Sequence, residues 1–353
     1  MPLTKISAPD ALAQLDTFST VIDARSESEH ALDRLPGAVN WPTLTDAQRH
    51  EVGTEYAQIS AFDARKRGAV YAARNIALHI ERECADKPKN WQPLIYCWRG
   101  GQRSGSLSLV LGQIGFNVML IEGGYKAFRA AMVADITRLA TQFHYKVICG
   151  PTGSGKTRLL QSLQKEGAQI LDLEALAEHR SSVLGLIPGQ PQPSQKQFDM
   201  RVWDALRKLD PGKPVYCESE SKKVGNVSVP DALISAIRDG DCLLLELPME
   251  ERVALLLEDY DFFVKDPEFF CQRLDVLTDL RGKAVVEAWK TQVRSGDKAQ
   301  LANVVRELLQ VHYDPGYASS TKRNYKKLDA HKLIAARARS MLADGDFIKG
   351  ILG

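Results

Sequence analysis

Short apolar runs recur along the first 140 positions, and amphipathic stretches separate them. Ser19-Thr20-Val21-Ile22-Asp23, Pro93-Leu94-Ile95-Tyr96-Cys97 and Asn117-Val118-Met119-Leu120-Ile121 read as buried strands. Residues 104–114 read as a helix with Ser104 available as its cap. Strands alternating with helices predict a parallel sheet. A second series begins at Tyr145-Lys146-Val147-Ile148-Cys149 and continues with Ala168-Gln169-Ile170-Leu171-Asp172, Pro214-Val215-Tyr216-Cys217-Glu218 and Cys242-Leu243-Leu244-Leu245-Glu246. Beyond about residue 249 the pattern is mostly helical. The helix-like run 125–139 sets the boundary, so two α/β domains are expected, 1–139 and 140–353. Pro188-Gly189-Gln190-Pro191-Gln192-Pro193-Ser194-Gln195 is the clearest loop.

Composition agrees with this outline. A chain of 353 residues suits two domains, and 44% hydrophobic with 25% charged residues excludes a disordered or collagen-like chain. No run approaches a membrane span, and Met1-Pro2-Leu3-Thr4-Lys5 lacks the apolar core of a signal peptide. Cys84, Cys97, Cys149, Cys217, Cys242 and Cys271 are scattered without a C-x-x-C pair, so neither a zinc site nor a disulfide framework is expected. The reducing cytoplasm is the expected compartment. The net charge of +2 conceals segregation: Asp239 to Leu280 holds twelve acids and three bases, and Arg281 onward fourteen bases and seven acids. The densest basic stretch, Thr321-Lys322-Arg323-Asn324-Tyr325-Lys326-Lys327, encloses an aromatic residue. Such a stripe attracts phosphate backbones, or forms a solvated face beside an acidic neighbour.

The first candidate chemistry lies in Cys97-Trp98-Arg99-Gly100-Gly101-Gln102-Arg103-Ser104. A buried strand ends at the cysteine and a helix starts near Ser104. The two glycines let amide groups turn around one point, which builds an anion nest at a helix N-terminus. Arg99 and Arg103 add positive charge, and each of these influences favours a thiolate, so Cys97 is expected to be a nucleophile. The spacing from Cys97 to Arg103 is also the C-x5-R of cysteine phosphatases.

The second is Gly150-Pro151-Thr152-Gly153-Ser154-Gly155-Lys156-Thr157, which satisfies G-x-x-x-x-G-K-[ST] between a strand and a helix. Gly150, Gly153, Ser154 and Gly155 shape a turn of inward amides, Lys156 neutralises a phosphate, and Thr157 is a candidate ligand for magnesium. Asp172, Glu174, His179, Arg180, Glu218 and Glu220 stand at or just after strand ends and are candidate catalytic or magnesium-positioning groups. No metal ligand set is specified beyond these.

The cysteine segment resembles the active-site loop of rhodanese-like sulfurtransferases. Ile22-Asp23-Ala24-Arg25-Ser26-x-x-Glu29, Leu35-Pro36-Gly37-Ala38-Val39-Asn40-Trp41-Pro42 and Glu122-Gly123-Gly124-Tyr125-Lys126-Ala127-Phe128 extend that likeness over residues ~10–135. A rhodanese-like domain followed by a P-loop domain resembles the bacterial tRNA 2-selenouridine synthase family. Asp172-Leu173-Glu174, His179-Arg180, Gln192-Pro193-Ser194-Gln195, Glu218-x-Glu220-Ser221 and Tyr313-Asp314-Pro315-x-Tyr317 carry the likeness through the second half. After His179-Arg180 the family pattern continues Gly-Ser, whereas this chain has Ser181-Ser182. The resemblance implies S-geranylation of a wobble 2-thiouridine in tRNA with geranyl diphosphate, then conversion to 2-selenouridine with selenophosphate. Cys97 is implied as the residue that carries the chalcogen. Both small molecules are substrates, and no tightly bound cofactor is implied. An enzyme that makes selenophosphate is the implied donor source. Lys322, Arg323, Lys326 and Lys327 are the candidate tRNA contacts, and Trp98 is a candidate for stacking on the base or for core packing.

Two other classes share these motifs. One is a C-x5-R phosphatase or sulfurtransferase fused to a P-loop kinase-like domain. The other is a regulatory ATP-binding protein with a rhodanese-like docking module.

Overall fold

The computed structural model describes residues 4–180, 182 and 184–352. The chain divides into two units, one running to Ile136 and including Ser194–Asp204, the other comprising Thr137–Pro193 and Ala205 onward.

The first unit is built on a five-stranded parallel sheet: β1 (Thr4–Ile6), β2 (Thr20–Asp23), β3 (Val39–Asn40), β4 (Pro93–Tyr96) and β5 (Met119–Ile121), in the order β1-β5-β4-β2-β3. β4 is central, and Ile95 sits opposite Ile22 on one side and Leu120 on the other. Helices cover both faces, so the strand residues Ile22, Leu94 and Ile95 have no solvent exposure. The predicted 104–114 helix begins earlier, at Gln102, with Gly101 as its N-cap. Ser104 therefore lies inside the first turn, and its hydroxyl is used elsewhere, as described below.

The helix Gln195–Leu206 belongs to this first unit over Ser194–Asp204, although the expected boundary placed it in the second domain. Its long-range contacts explain the difference. Ser194 and Gln197 donate side-chain hydrogen bonds to the carbonyls of Leu32 and Ala31, at 3.2 and 2.8 Å. Trp203 is fully buried, meets Phe128 edge-on and donates its indole N–H to Asp135 at 2.9 Å.

The second unit carries a parallel sheet of β6 (Tyr145–Cys149), β7 (Gln169–Leu171), β8 (Val215–Glu218), β11 (Asp241–Glu246) and β12 (Lys332–Ala335), ordered β12-β11-β6-β8-β7. A short hairpin pairs β9 (Lys223–Val224) with β10 (Val227–Ser228). β6 lies between β11 and β8, so the turn after Cys149 opens beside the carboxyl end of β8, where open α/β sheets place ligands. From Met249 to Asn324 the chain is helical around a core that includes Phe263, Phe270, Trp289 and Val304. β12 interrupts the expected helical tail and pairs with β11 from Leu243 to Glu246. Among the described residues no helix is long and apolar enough to cross a membrane.

Candidate functional site

In the first unit, β4 ends at Tyr96 and Cys97 follows it directly. Its side chain is 3% exposed, and the Ser104 hydroxyl donates to Sγ at 3.0 Å. Backbone bonds fix the loop from the far side: the Tyr125 N–H donates to the Cys97 carbonyl at 2.8 Å and the Lys126 N–H to the Trp98 carbonyl at 3.1 Å. This close approach requires glycine. Gly100 has φ +66° and Gly124 φ +60°. A Cβ on Gly100 would stand 2.7 Å from the Ile121 carbonyl oxygen, and one on Gly124 would overlap the Cys97 carbonyl. The first-turn amides of Gln102, Arg103 and Ser104 have no carbonyl within their own helix to bond and open toward the loop.

The two arginines of this loop differ. Arg99 is exposed. Arg103 is held by Glu29, with Nη1 2.6 Å from Oε2, and Arg49 joins the same carboxylate at 3.3 Å. Burial acts to raise the Glu29 pKa, but the hydrogen bond and charge of Arg103 outweigh it and hold the carboxyl below its ordinary value. Trp98 is half-buried and stacked on Tyr125, ring centres 5.3 Å apart, with the Lys196 ammonium 5.9 Å from its face. Beneath the loop, Arg25 and Asp23 form a buried bidentate pair at 2.7–3.1 Å, and the Arg25 guanidinium lies 4.2 Å from the Tyr125 ring centre. The Tyr125 hydroxyl donates to Asp33.

In the second unit the P-loop runs from β6 into the helix Lys156–Lys165. Gly153 and Gly155 take φ of +77° and +86°. Lys156 donates to the carbonyls of Gly150 at 2.8 Å and Pro151 at 3.4 Å, and the buried Ser154 hydroxyl has no hydrogen-bond partner. Two elements distant in sequence brace the loop. The Gly150 N–H donates to the Tyr317 hydroxyl at 2.5 Å. Arg252, 5% exposed, donates to the Thr152 carbonyl at 2.7 and 3.0 Å and pairs with Asp314 at 2.6 Å. Sequence reading missed Arg252, whose only local signal is a single base in the acidic run Glu250-Glu251-Arg252.

The P-loop forms one wall of a cleft of about 750 Å³. Asp172, Glu174, His179, Arg180, Glu218 and Glu220 all line it, so the structure brings these candidates together. Their settings differ. Asp172 is turned onto the helix Leu173–Ala177 as its N-cap, accepting from the Ala175 N–H at 2.8 Å. Glu218 ends β8, is 6% exposed, is hydrogen-bonded by Thr157, and leaves Oε1 without a partner. Burial first, then repulsion from Glu174 and Asp172, pushes its pKa up to about 8. Glu174, Glu218 and Glu220 place carboxylate oxygens within 4.8 Å of one another. His179 is 7% exposed with Nδ1 unpartnered, and burial followed by the charge of Arg273 lowers its pKa. Arg180 packs its guanidinium 4.6 Å from the Tyr260 ring and donates to the Asp259 carbonyl. Ser181, where the family pattern has glycine, lies outside the described residues.

Beside this cleft lies a narrow apolar slot lined by Leu184, Leu256, Phe263, Phe270, Leu301 and Leu308 among others. Slot and cleft share Thr152, Ser182, Leu256, Tyr260 and Tyr313.

The candidate tRNA contacts separate into two pairs. Lys322 and Arg323 are exposed on the helix Asp314–Asn324, whereas Thr321 and Asn324 of that helix line the cleft. Lys326 and Lys327 are bonded to Asp239 and Asp241 at 2.8 and 2.9 Å. The enclosed aromatic, Tyr325, is buried and donates to the Glu220 carbonyl at 2.9 Å, so it anchors the acidic turn.

Comparison with known proteins assigns each half of the chain. Residues 7–131 match the family model for the rhodanese-like domain, and residues 143–273 match that for the tRNA 2-selenouridine synthase AAA domain. The tRNA 2-selenouridine synthase of Nitrosomonas europaea is 35% identical over 72% of this chain and 67% of its own length. That of a Sulfurovum species is 30% identical over 87% and 90%, and that of Hahella chejuensis 30% identical over 87% of each.

Proposed function

The chain belongs to the tRNA 2-selenouridine synthase family, and from that premise we propose that it converts a wobble 2-thiouridine of tRNA to 2-selenouridine in two steps. In the first, the sulfur attacks C1 of geranyl diphosphate, a carbon–sulfur bond forms, the C1–O bond breaks, and diphosphate departs. In the second, the selenium of selenophosphate attacks C2 of the base, the C2–S bond breaks and geranyl thiolate leaves, and water then cleaves the Se–P bond to release phosphate and 2-selenouridine. Alkylation turns the sulfur into a thioether, a better leaving group than the thiocarbonyl it replaces. Cys97, in its loop of inward amides, is the residue that presents the selenium donor to the base in the second step.

The observation that carries this reading is that the P-loop cleft and the apolar slot lie side by side and share five lining residues. A ligand with an anionic head and an unsaturated hydrocarbon tail has one end that matches each of these two surfaces. The head meets Lys156 and the loop amides, which also stabilise the charge that develops on departing diphosphate. The tail leaves water for Leu256, Phe263 and Leu308, and each buried methylene contributes about 0.8 kcal/mol.

The test is mass analysis of tRNA nucleosides after incubation with geranyl diphosphate and then selenophosphate. The wild type yields S-geranyl-2-thiouridine and then 2-selenouridine. Cys97→Ser stops at the geranylated nucleoside. Full selenation by that variant removes Cys97 from the mechanism, and absence of the geranylated nucleoside with wild type overturns the first step.

A further inference from the structure

We propose that Glu174, Glu218 and Glu220 hold a divalent cation of the magnesium class at the P-loop end of the cleft. The inference rests on the diphosphate reading of that cleft and adds to it a ligand set that P-loop spacing does not specify. Thr157 marks where a P-loop protein presents a hydroxyl to magnesium, but the motif leaves the acids open, and four candidates, Asp172, Glu174, Glu218 and Glu220, follow it in sequence.

The structure narrows the acids by what each one touches. Asp172 spends a carboxylate oxygen on the Ala175 amide as a helix cap. Glu218 is more than nine-tenths buried, receives the Thr157 hydrogen bond, and keeps Oε1 without a partner inside the cleft. Buried carboxylate oxygens are rarely left in that state, because an unpaired one keeps the full penalty of leaving water. Glu174 and Glu220 approach the same point, and the three groups offer oxygens within 4.8 Å of one another. A magnesium shell with bonds near 2.1 Å sets neighbouring ligands about 3.0 Å and opposite ligands about 4.2 Å apart, so side-chain rotation is needed to close the cluster on one ion. Three converging carboxylates repel one another, and burial pushes Glu218 toward its neutral form. A dication reverses both effects and supplies the orphaned oxygen with a partner.

The same arrangement gives the cation a role with the substrate. Magnesium keeps several waters and is commonly shared between one or two carboxylates and substrate phosphates. An ion beside Thr157 and Lys156 therefore adds positive charge to the site where diphosphate is bound and released. Tyr325 holds the backbone at Glu220, so the basic tail sets the position of one ligand.

The experiment titrates the full chain with Mn²⁺, with and without inorganic pyrophosphate, and follows free Mn²⁺ by electron paramagnetic resonance. One ion per chain is expected, with affinity raised at least threefold by pyrophosphate. Glu218→Gln and Glu220→Gln each weaken it at least tenfold, while Asp172→Asn, which keeps the helix cap, changes it by less than threefold. Circular dichroism melts check that the variants fold. Absence of Mn²⁺ binding under both conditions, or equal affinity in wild type and the two glutamine variants, overturns the proposal. Binding that depends on Glu218 and Glu220 but ignores pyrophosphate upholds the cation site and counts against the diphosphate reading. Geranyl transfer that persists in chelator with no Mn²⁺ bound upholds the diphosphate reading alone.

Discussion

In the loop that follows Tyr96, the arginine that completes the C-x5-R spacing is locked 2.6 Å from Glu29, and the thiol is 3% exposed. In the loop that follows Cys149, the hydrogen bonds the lysine makes among the described residues go to neutral carbonyls of its own turn. Both are glycine-rich turns at the carboxyl end of a central parallel strand, and both precede a helix. They differ in what already satisfies their cations. Arg103 has a carboxylate partner, shared with Arg49, and serves to hold the loop's shape, which leaves the helix amides and Arg99 to receive an anion. Lys156 exchanges one carbonyl bond for a phosphate oxygen at little cost. A cation's sequence position thus says less about ligand binding than the identity of its resting partner does.

The largest effect that tests this contrast comes from Lys156→Ala. Hydrogen bonds to charged groups contribute about 1.5–3 kcal/mol, so diphosphate affinity should fall roughly 10- to 150-fold. Titration calorimetry with geranyl diphosphate reads it directly. Unchanged geranyl transfer accompanied by lost ATP turnover would transfer the loop to a nucleotide.

Much of this was legible in the chain and some was not, for reasons that particular residues make plain. Tyr145–Cys149 reads as a strand from its run of apolar residues, because a central strand in a parallel sheet is buried on both faces. The P-loop is equally readable, since its chemistry depends on local glycine geometry. Lys332–Ala335 reads as part of the helical, basic tail, because a four-residue edge strand flanked by bases carries too little pattern to separate it. Asp172 reads as a site acid and lines the cleft, and it is also a helix cap, a second role that an aspartate just ahead of Leu-Glu-Ala signals locally. The Glu174, Glu218 and Glu220 cluster was visible as acids at strand ends but not as a group, since its convergence depends on β7 and β8 being neighbours. Arg252, Tyr317 and Tyr325 brace the cleft across 62 to 167 positions of sequence, and no window contains such pairings. The same holds for Gln195–Leu206, whose placement follows from Trp203 and Phe128.

A smaller effect extends the contrast to the basic tail. Lys322 and Arg323 face solvent, while Lys326 and Lys327 already have aspartate partners. Each phosphate neutralised contributes about 0.7–0.9 to the slope of log affinity against log salt. Replacing Lys322 and Arg323 with alanine should flatten the slope for tRNA by about 1.4–1.8. Replacing Lys326 and Lys327 should flatten it by less than half as much, because those ammonium groups arrive paired. Equal changes would mean that the aspartates release their lysines to RNA. An unaltered slope in both variants would place tRNA on another surface.

The smallest effect concerns the locked arginine itself. Arg103 holds the Glu29 carboxyl below its ordinary value of 4.5, so on acidification the unfolded chain takes up a proton before the folded one does. The pair's stabilisation is therefore complete above about pH 5 and is lost as pH falls through the depressed folded value. Glu29→Gln keeps the reach to Ser26 that caps its helix and removes the charge. The pair is partly screened, so its contribution is about 1 kcal/mol, or about 3 °C in melting temperature. The gap between wild type and variant should be widest near neutral pH and should close as pH falls below about 4. A gap that stays constant across that range would show that Glu29 holds Arg103 by shape alone, and the distinction drawn between the two loops would then lose its electrostatic basis.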